Sequence, residues 1–214
     1  MTLRQFSRLC GVVAVVAALL VLTGWAVDLP PLESLLPGFP ATQPMTALVI
    51  GFLGAGLWLI ASERTHARRL ARALSALVLL ICVTTILAYA GFDIGMDRWL
   101  FPDRVAEQRV VPHPGRMGQM TIICALLLAF AIVAKARRLW PRTAVGAATL
   151  ALLLSAAASL AFLFNAGTAG FASVSIPTAA VLAVLGAGVL AAPPLTGWPR
   201  RLTLDTPGGA ASRL

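Results

Sequence analysis

The chain has 214 residues, of which 59% are apolar and only 12% charged, with a mean hydropathy of +0.88 and a net charge of +9. A soluble domain carries about 25% charged residues, so this composition excludes a surface solvated mainly by water. The arginines are gathered into a few short stretches and do not form a stripe that could follow a phosphate backbone, which argues against nucleic acid as the partner.

Six apolar runs follow one another along the chain: Leu9–Val27, Met45–Ala61, Ala73–Phe92, Gly118–Ala134, Ala144–Phe164 and Ile176–Ala192, of 19, 17, 20, 17, 21 and 17 residues. Roughly 17–25 apolar residues cross a hydrocarbon core as a helix. No Asp, Glu, Lys, Arg or His falls inside any run, and the two-residue alternation of a membrane barrel is absent. The expected fold is therefore all-α and polytopic, with six transmembrane helices over about 9–27, 45–61, 73–92, 118–134, 144–164 and 176–192. Residues 1–192 form this membrane module, and 193–214 read as a polar linker or tail.

The first run is preceded by Arg4 and Arg8, as in a secretory leader. Its length and the Asp28-Leu29-Pro30-Pro31 that follows, without a small-x-small cleavage pattern, favour a retained first helix. Gly24-Trp25-Ala26-Val27 at its end places Trp25 at headgroup depth. A proline-rich loop, DLPPLESLLPGFPATQP, leads into the second helix. There Gly51 and Ala55, four apart, supply a face for close helix packing. Between the third and fourth helices lies the longest loop, in which charges of both signs alternate with Trp99, Leu100 and Phe101, suiting a short amphipathic piece on the membrane surface. Asn165-Ala166-Gly167-Thr168-Ala169-Gly170 joins helices five and six and is uncharged.

Three of these helices open alike. PMTALVIGFLGAGLWLIASERTHARRLAR, QMTIICALLLAFAIVAKARRLWPR and IPTAAVLAVLGAGVLAAPPLTGWPRR share a threonine near the start, small and branched apolar filling, and a basic exit. The helices that run the other way carry a second echo, Leu87-Ala88-Tyr89-Ala90-Gly91 against Leu160-Ala161-Phe162-Leu163-Phe164. The repeating unit is a helical hairpin, and repetition fixes which positions are equivalent.

Thirteen of the 17 basic residues fall on one side of this topology, and Arg98, Arg104, Arg109 and Arg116 on the other, together with six of the eight acidic residues. Lysine and arginine excess marks the cytoplasmic face, so both termini are expected inside. The arginines set topology and meet anionic headgroups. Cys10, Cys82 and Cys124 lie in or at the edge of apolar runs and read as small buried hydrophobes.

Catalytic chemistry is missing. His66 and His113 sit on opposite sides, no helix offers a haem ligand, no zinc ligand set exists and no phosphate-binding glycine loop occurs outside a spanning segment. No cofactor and no metal are expected. Ionisable groups that would couple transport to ions are absent from the runs. Ser75, Thr84, Thr85, Ser155 and Ser159 are read as bonding back to their own helices.

The strongest local cluster is His113-Pro114-Gly115-Arg116-Met117. On a structural reading Gly115 makes a turn and Arg116 snorkels to headgroups. On a functional reading the repeat-equivalent Thr46, Thr121 and Thr178 line an outer pocket, roofed by His113 and Arg116, with helix N-termini aimed at a ligand.

Taken together, the GW of the first helix, the M-T-A-L entry to the second, RRLARAL, LAYAGFDIGMDRWLF and HPGRMGQMT resemble the amino-terminal membrane sensor region of bacterial PAS-containing sensor histidine kinases and diguanylate cyclases. The resemblance covers nearly the whole chain. Where that family continues with Ser-Pro-Asn-Thr-Ala, this chain has Gly118-Gln119-Met120-Thr121-Ile122, so no asparagine is carried over. It implies a non-catalytic input module whose partners are the lipid bilayer, cytoplasmic PAS and kinase or cyclase output domains, and a second copy of the chain. The tail resembles a family linker, and no phosphoacceptor histidine, ATP site or GGDEF-like stretch is present, so the chain is expected to be either a fragment or a stand-alone sensor. Two other readings stand beside it: a small transporter or channel subunit for an uncharged substrate, its three repeats around a pore, and a membrane scaffold without ligand.

Overall fold

A computed structural model describes residues 1–34, 41–62, 64–108, 113–163 and 175–202. The helices are α1 (Leu3–Val27), α2 (Pro30–Ser34), α3 (Pro44–Ile60), α4 (Thr65–Tyr89), α5 (Pro102–Ala106), α6 (Gln119–Arg137), α7 (Pro141–Leu163), α8 (Ile176–Ala191) and α9 (Trp198–Leu202), with a 3-10 turn at Met96–Arg98. Among the described residues there is no strand. The all-helical expectation is met.

Four helices, α1, α4, α6 and α7, are long and apolar enough to cross a membrane. The other two predicted spans appear as apolar helices of 17 and 16 residues, α3 and α8. These two sit at the lower limit of about 17 residues for a crossing. The chain is thus compatible with a multi-pass membrane protein.

The hairpin repeat becomes a ring. α3, α6 and α8 touch one another, while α1, α4 and α7 lie outside them. Each outer helix packs on the inner helix that follows it in the chain and on the inner helix of the preceding unit. Thus α1 packs on α3 and α8, α4 on α6 and α3, and α7 on α8 and α6. Three outer–inner pairs in cyclic order account for every one of these contacts. The inner helices carry the larger buried share of their residues, whereas α1 and α4 expose leucines and valines such as Leu19, Leu80 and Val83. Such an apolar exterior is what a bilayer solvates. Leu53 and Leu57 of α3, Leu128 and Ile132 of α6, and Leu182 and Leu185 of α8 are fully buried and belong to one continuous apolar core.

The ends of the helices follow local chemistry. α1 begins six residues before its apolar run because Thr2 and Gln5 form a reciprocal capping box. It ends at Asp28, which adopts φ +58°, a left-handed conformation that Asp tolerates better than most residues. α4 likewise starts eight residues early, taking Arg68, Arg69 and Arg72 into the helix. The inner helices share one entry geometry. Their N-caps Gln43, Gly118 and Ser175 have φ/ψ of −63/146°, −63/146° and −69/144°. The repeat seen in the sequence is therefore a repeat of backbone as well.

Close packing falls in a different register from the one expected. The tightest approach between α1 and α3 is at Gly11 and Gly54: a Cβ on Gly54 would lie 2.8 Å from the Gly11 carbonyl oxygen, and one on Gly11 2.7 Å from that of Gly54. Gly51 and Ala55 are half-buried, and a Cβ on Gly51 would meet only the Ala18 methyl at 3.3 Å. Glycine spacing alone cannot tell which of two offset faces meets the neighbour.

Of the five polar helix residues, Thr84 and Thr85 donate to Ile81 O, Ser155 to Ala151 O and Ser159 to Ser155 O. Ser75 departs from this pattern: it is fully buried and its hydroxyl has no hydrogen-bond partner among the described residues. The three cysteines are free and buried.

Candidate functional site

One end of the bundle gathers α2, α5, the 3-10 turn and the starts of the inner helices. Two arginines organise it. Arg116 donates from Nε to Asp97 at 2.7 Å and from Nη2 to Asp93 at 2.8 Å, and its Nη1 reaches Ala88 O at 3.2 Å. Its guanidinium also lies 5.1 Å from the Tyr89 ring centre. The Tyr89 hydroxyl donates to Met117 O, and His113 meets the Tyr89 ring edge-on. Ala88 is in the last turn of α4, whose carbonyls have no partner within the helix. Arg116 thereby satisfies a helix end and two carboxylates at once.

Burial opposes the charge on Arg116, but Asp97 and then Asp93 outweigh it and raise its pKa further. The Gly95 backbone N–H, then Arg116, hold the Asp93 carboxyl below its usual value. A depressed carboxylate contributes stability above its ordinary pKa that is lost as pH falls towards the lowered one. Gly115, at φ +76°, lets the chain pass this group: a Cβ there would stand 2.5 Å from Asp97 O. The snorkelling reading of Arg116 is corrected here, because its side chain is only 9% exposed and is pinned between two aspartates.

Arg104 repeats the device at α1. It pairs with Asp28 at 2.6 Å and Glu33 at 3.0 Å, donates to Trp25 O at the end of α1 and covers the Trp25 ring. Trp25 is 2% exposed, stacks on Phe101 and donates its indole N–H to Thr42 O. It is a buried anchor for the two loops, where the sequence suggested a headgroup position. Trp99, 70% exposed beside Phe92 and Ile94, takes the surface role.

Thr46, Thr121 and Thr178 all lie one turn into their helices and are all buried. Thr178 joins Thr42 and Ser175 in a cluster of hydroxyls within 3.3 Å of one another. Among the described residues no hydrogen bond connects the three threonines to each other. Beside Thr178, between α1, α3 and α8, is a cavity of about 10 Å³, room for at most one water. His113 and Arg116 surround Tyr89, while Gly115 between them donates its N–H to Gln43 Oε1 at 3.2 Å, one residue from Thr42. Each threonine is thus the third residue of its inner helix and buried in packing, while the two roof residues meet Tyr89.

The opposite end collects the basic segments. Arg4 and Arg8 donate to Ala61 O at the end of α3, at 2.7 and 3.5 Å, and Lys135, 5% exposed, donates to Ala192 O and Pro194 O beyond α8. Cationic side chains at helix C-termini meet both the unpaired carbonyls and the negative end of the helix dipole. Lys135 was legible only as part of a basic exit. It is buried between Ala134 and Ala136, where the end of α6 meets the segment after α8. Trp198, exposed near this face, donates to Thr149 of α7.

No protein-family model, curated protein or solved structure matches the chain. Among the described residues, no cluster of three or more histidine, cysteine or carboxylate side chains is assembled.

Proposed function

We propose that this chain is a membrane-embedded sensory input module of a bacterial signal-transduction protein, with six crossings, both termini cytoplasmic and no catalytic activity of its own. The observation that carries the reading is the two-ended construction. At one end ion-paired loops grip the terminal turns of α1 and α4; at the other, Lys135 of α6 grips the segment through which the chain leaves α8. A signal that loosens the loops changes how outer helices seat on inner ones, and the change reaches that exit. Bundles of packed helices respond by switching between discrete arrangements. The sequence resemblance to sensor kinases and cyclases points the same way and makes PAS, kinase or cyclase domains the partners. A pore through the bundle is disfavoured, since Leu53, Leu57, Leu128, Ile132, Leu182 and Leu185 of the inner helices are fully buried in one continuous apolar core.

Topology is tested with a membrane-impermeant maleimide on intact cells. Cysteine at exposed Thr65 is expected to stay unlabelled and cysteine at exposed Trp99 to react. Reaction at Thr65 overturns the orientation.

Signalling is tested in a chimera carrying a complete linker and kinase. Thr121→Trp is expected to change kinase output at matched membrane expression, because Thr121 is buried at the mouth of an inner helix, while His66→Trp on the basic face leaves it unchanged. Equal effects from both, or none from Thr121, overturn the coupling of the threonine level to output.

A further inference from the structure

At the basic end, the termini of α3, α4 and α6 and the segment after α8 enclose a cavity of about 330 Å³, lined by Ile60, Ser62, Arg68, Lys135, Arg138 and Pro194 among others. That volume falls within the roughly 300–1,000 Å³ of small-ligand sites. Three cations line it and, among the described residues, no carboxylate does. Among the described residues every ion pair of this protein lies at the opposite end, around Arg104 and Arg116. Arg68, Lys135 and Arg138 therefore converge without a described anionic partner.

Lys135 is the fixed element. Its ammonium is buried, uses two donors on Ala192 O and Pro194 O, and has a third that those carbonyls do not take. Holding a buried charge without an anion is costly unless one is supplied. Arg68 and Arg138 add planar forks, which match the oxygens of a phosphate in pairs. Ser62 adds a hydroxyl. The cavity lies where the apolar runs end and the basic segments begin, the level at which lipid phosphates lie.

We propose that this cavity binds a phosphate group, as the headgroup of an anionic phospholipid or as free phosphate. Its position assigns the lipid as the principal source. The inference rests on the membrane part of the preceding reading and not on signalling. Recovery of the chain in the soluble fraction without detergent would overturn that part and is read separately from the titrations below.

The full chain in detergent is titrated with short-chain phosphatidylglycerol, with phosphatidylcholine, whose choline cation offsets the same phosphate, and with inorganic phosphate, each followed by native mass spectrometry. Phosphatidylglycerol is expected to bind in preference to phosphatidylcholine. The double variant Arg68→Gln, Arg138→Gln is expected to weaken phosphatidylglycerol about tenfold or more and to abolish the preference. These side chains are half-buried and exposed, so the fold survives their change. Arg98→Gln, exposed at the other end, is the control and keeps wild-type affinity. Inorganic phosphate that binds with the same dependence on Arg68 and Arg138, without lipid preference, retains the phosphate site and moves its source to solution. Equal binding of both lipids with no binding of inorganic phosphate, or binding of either anion that the double variant leaves intact, overturns the proposal.

Discussion

Arg116→Met is expected to lower the melting temperature of the detergent-solubilised protein by roughly 10 °C, corresponding to the loss of about 3–5 kcal/mol when one member of a buried ion pair is removed. The size follows from Asp97, whose side chain is 6% exposed and would lose its charged partner. Ala88 O would also lose a donor. The Asp93 pair contributes little, because that carboxylate is 40% exposed and solvent screens it. Asp93→Asn is accordingly the mild member of the series. Arg116→Met combined with Asp97→Leu is expected to recover part of the loss, since a buried pair replaced whole by apolar groups leaves no stranded charge. Intrinsic tryptophan fluorescence on heating reads all four proteins. A single Arg116→Met variant that melts like the wild type would mean that Asp97 is hydrated and the clamp is superficial.

That clamp marks the limit of what the sequence could reveal. The apolar runs and the threonine repeat were sufficient for hairpins, and the structure arranges those hairpins in a ring with matching N-cap dihedrals at Gln43, Gly118 and Ser175. Periodic signals survive because burial repeats with the helix. Pairing between loops leaves no period. The alternation of charge around Arg98, Asp103 and Arg104 was visible, but which arginine meets which carboxylate depends on how packing brings Arg104 of α5 to Glu33 of α2. Trp25 illustrates the same limit: an indole at a helix end reads as interfacial, and only the covering loop makes it a buried anchor for Thr42 and Phe101. Run ends were displaced wherever a charged turn continued the helix, as in α4, because hydropathy measures lipid contact and not backbone hydrogen bonding. The repeat-equivalent threonines each fall third in an inner helix, yet equivalent positions can each be packed, and burial of 2–4% shows that they are.

Gly54→Leu is expected to be the most damaging single change within the apolar segments, leaving little folded protein after detergent extraction. Gly54 and Gly11 face each other across α1 and α3 with backbone against backbone. A Cβ at Gly54 would stand 2.8 Å from Gly11 O and 2.9 Å from the Ala14 methyl. Neither is the end of a flexible side chain, so α1 must move away, and it would lose contact with α8 as well as α3, since it seats on both. Ordinary overpacking costs about 1–3 kcal/mol; separating two helices also removes the van der Waals contact that holds them together in lipid, where no hydrophobic force replaces it. Gly51→Leu meets only the Ala18 side chain at 3.3 Å and should be tolerated better. Gly146→Leu has nothing within 4 Å of the new Cβ and should extract and melt as wild type. The ordering Gly54 below Gly51 below Gly146, measured as monodisperse yield and melting temperature, distinguishes this packing from any in which α3 turns another face to α1. Equal tolerance at Gly54 and Gly146 would remove the first hairpin from the ring.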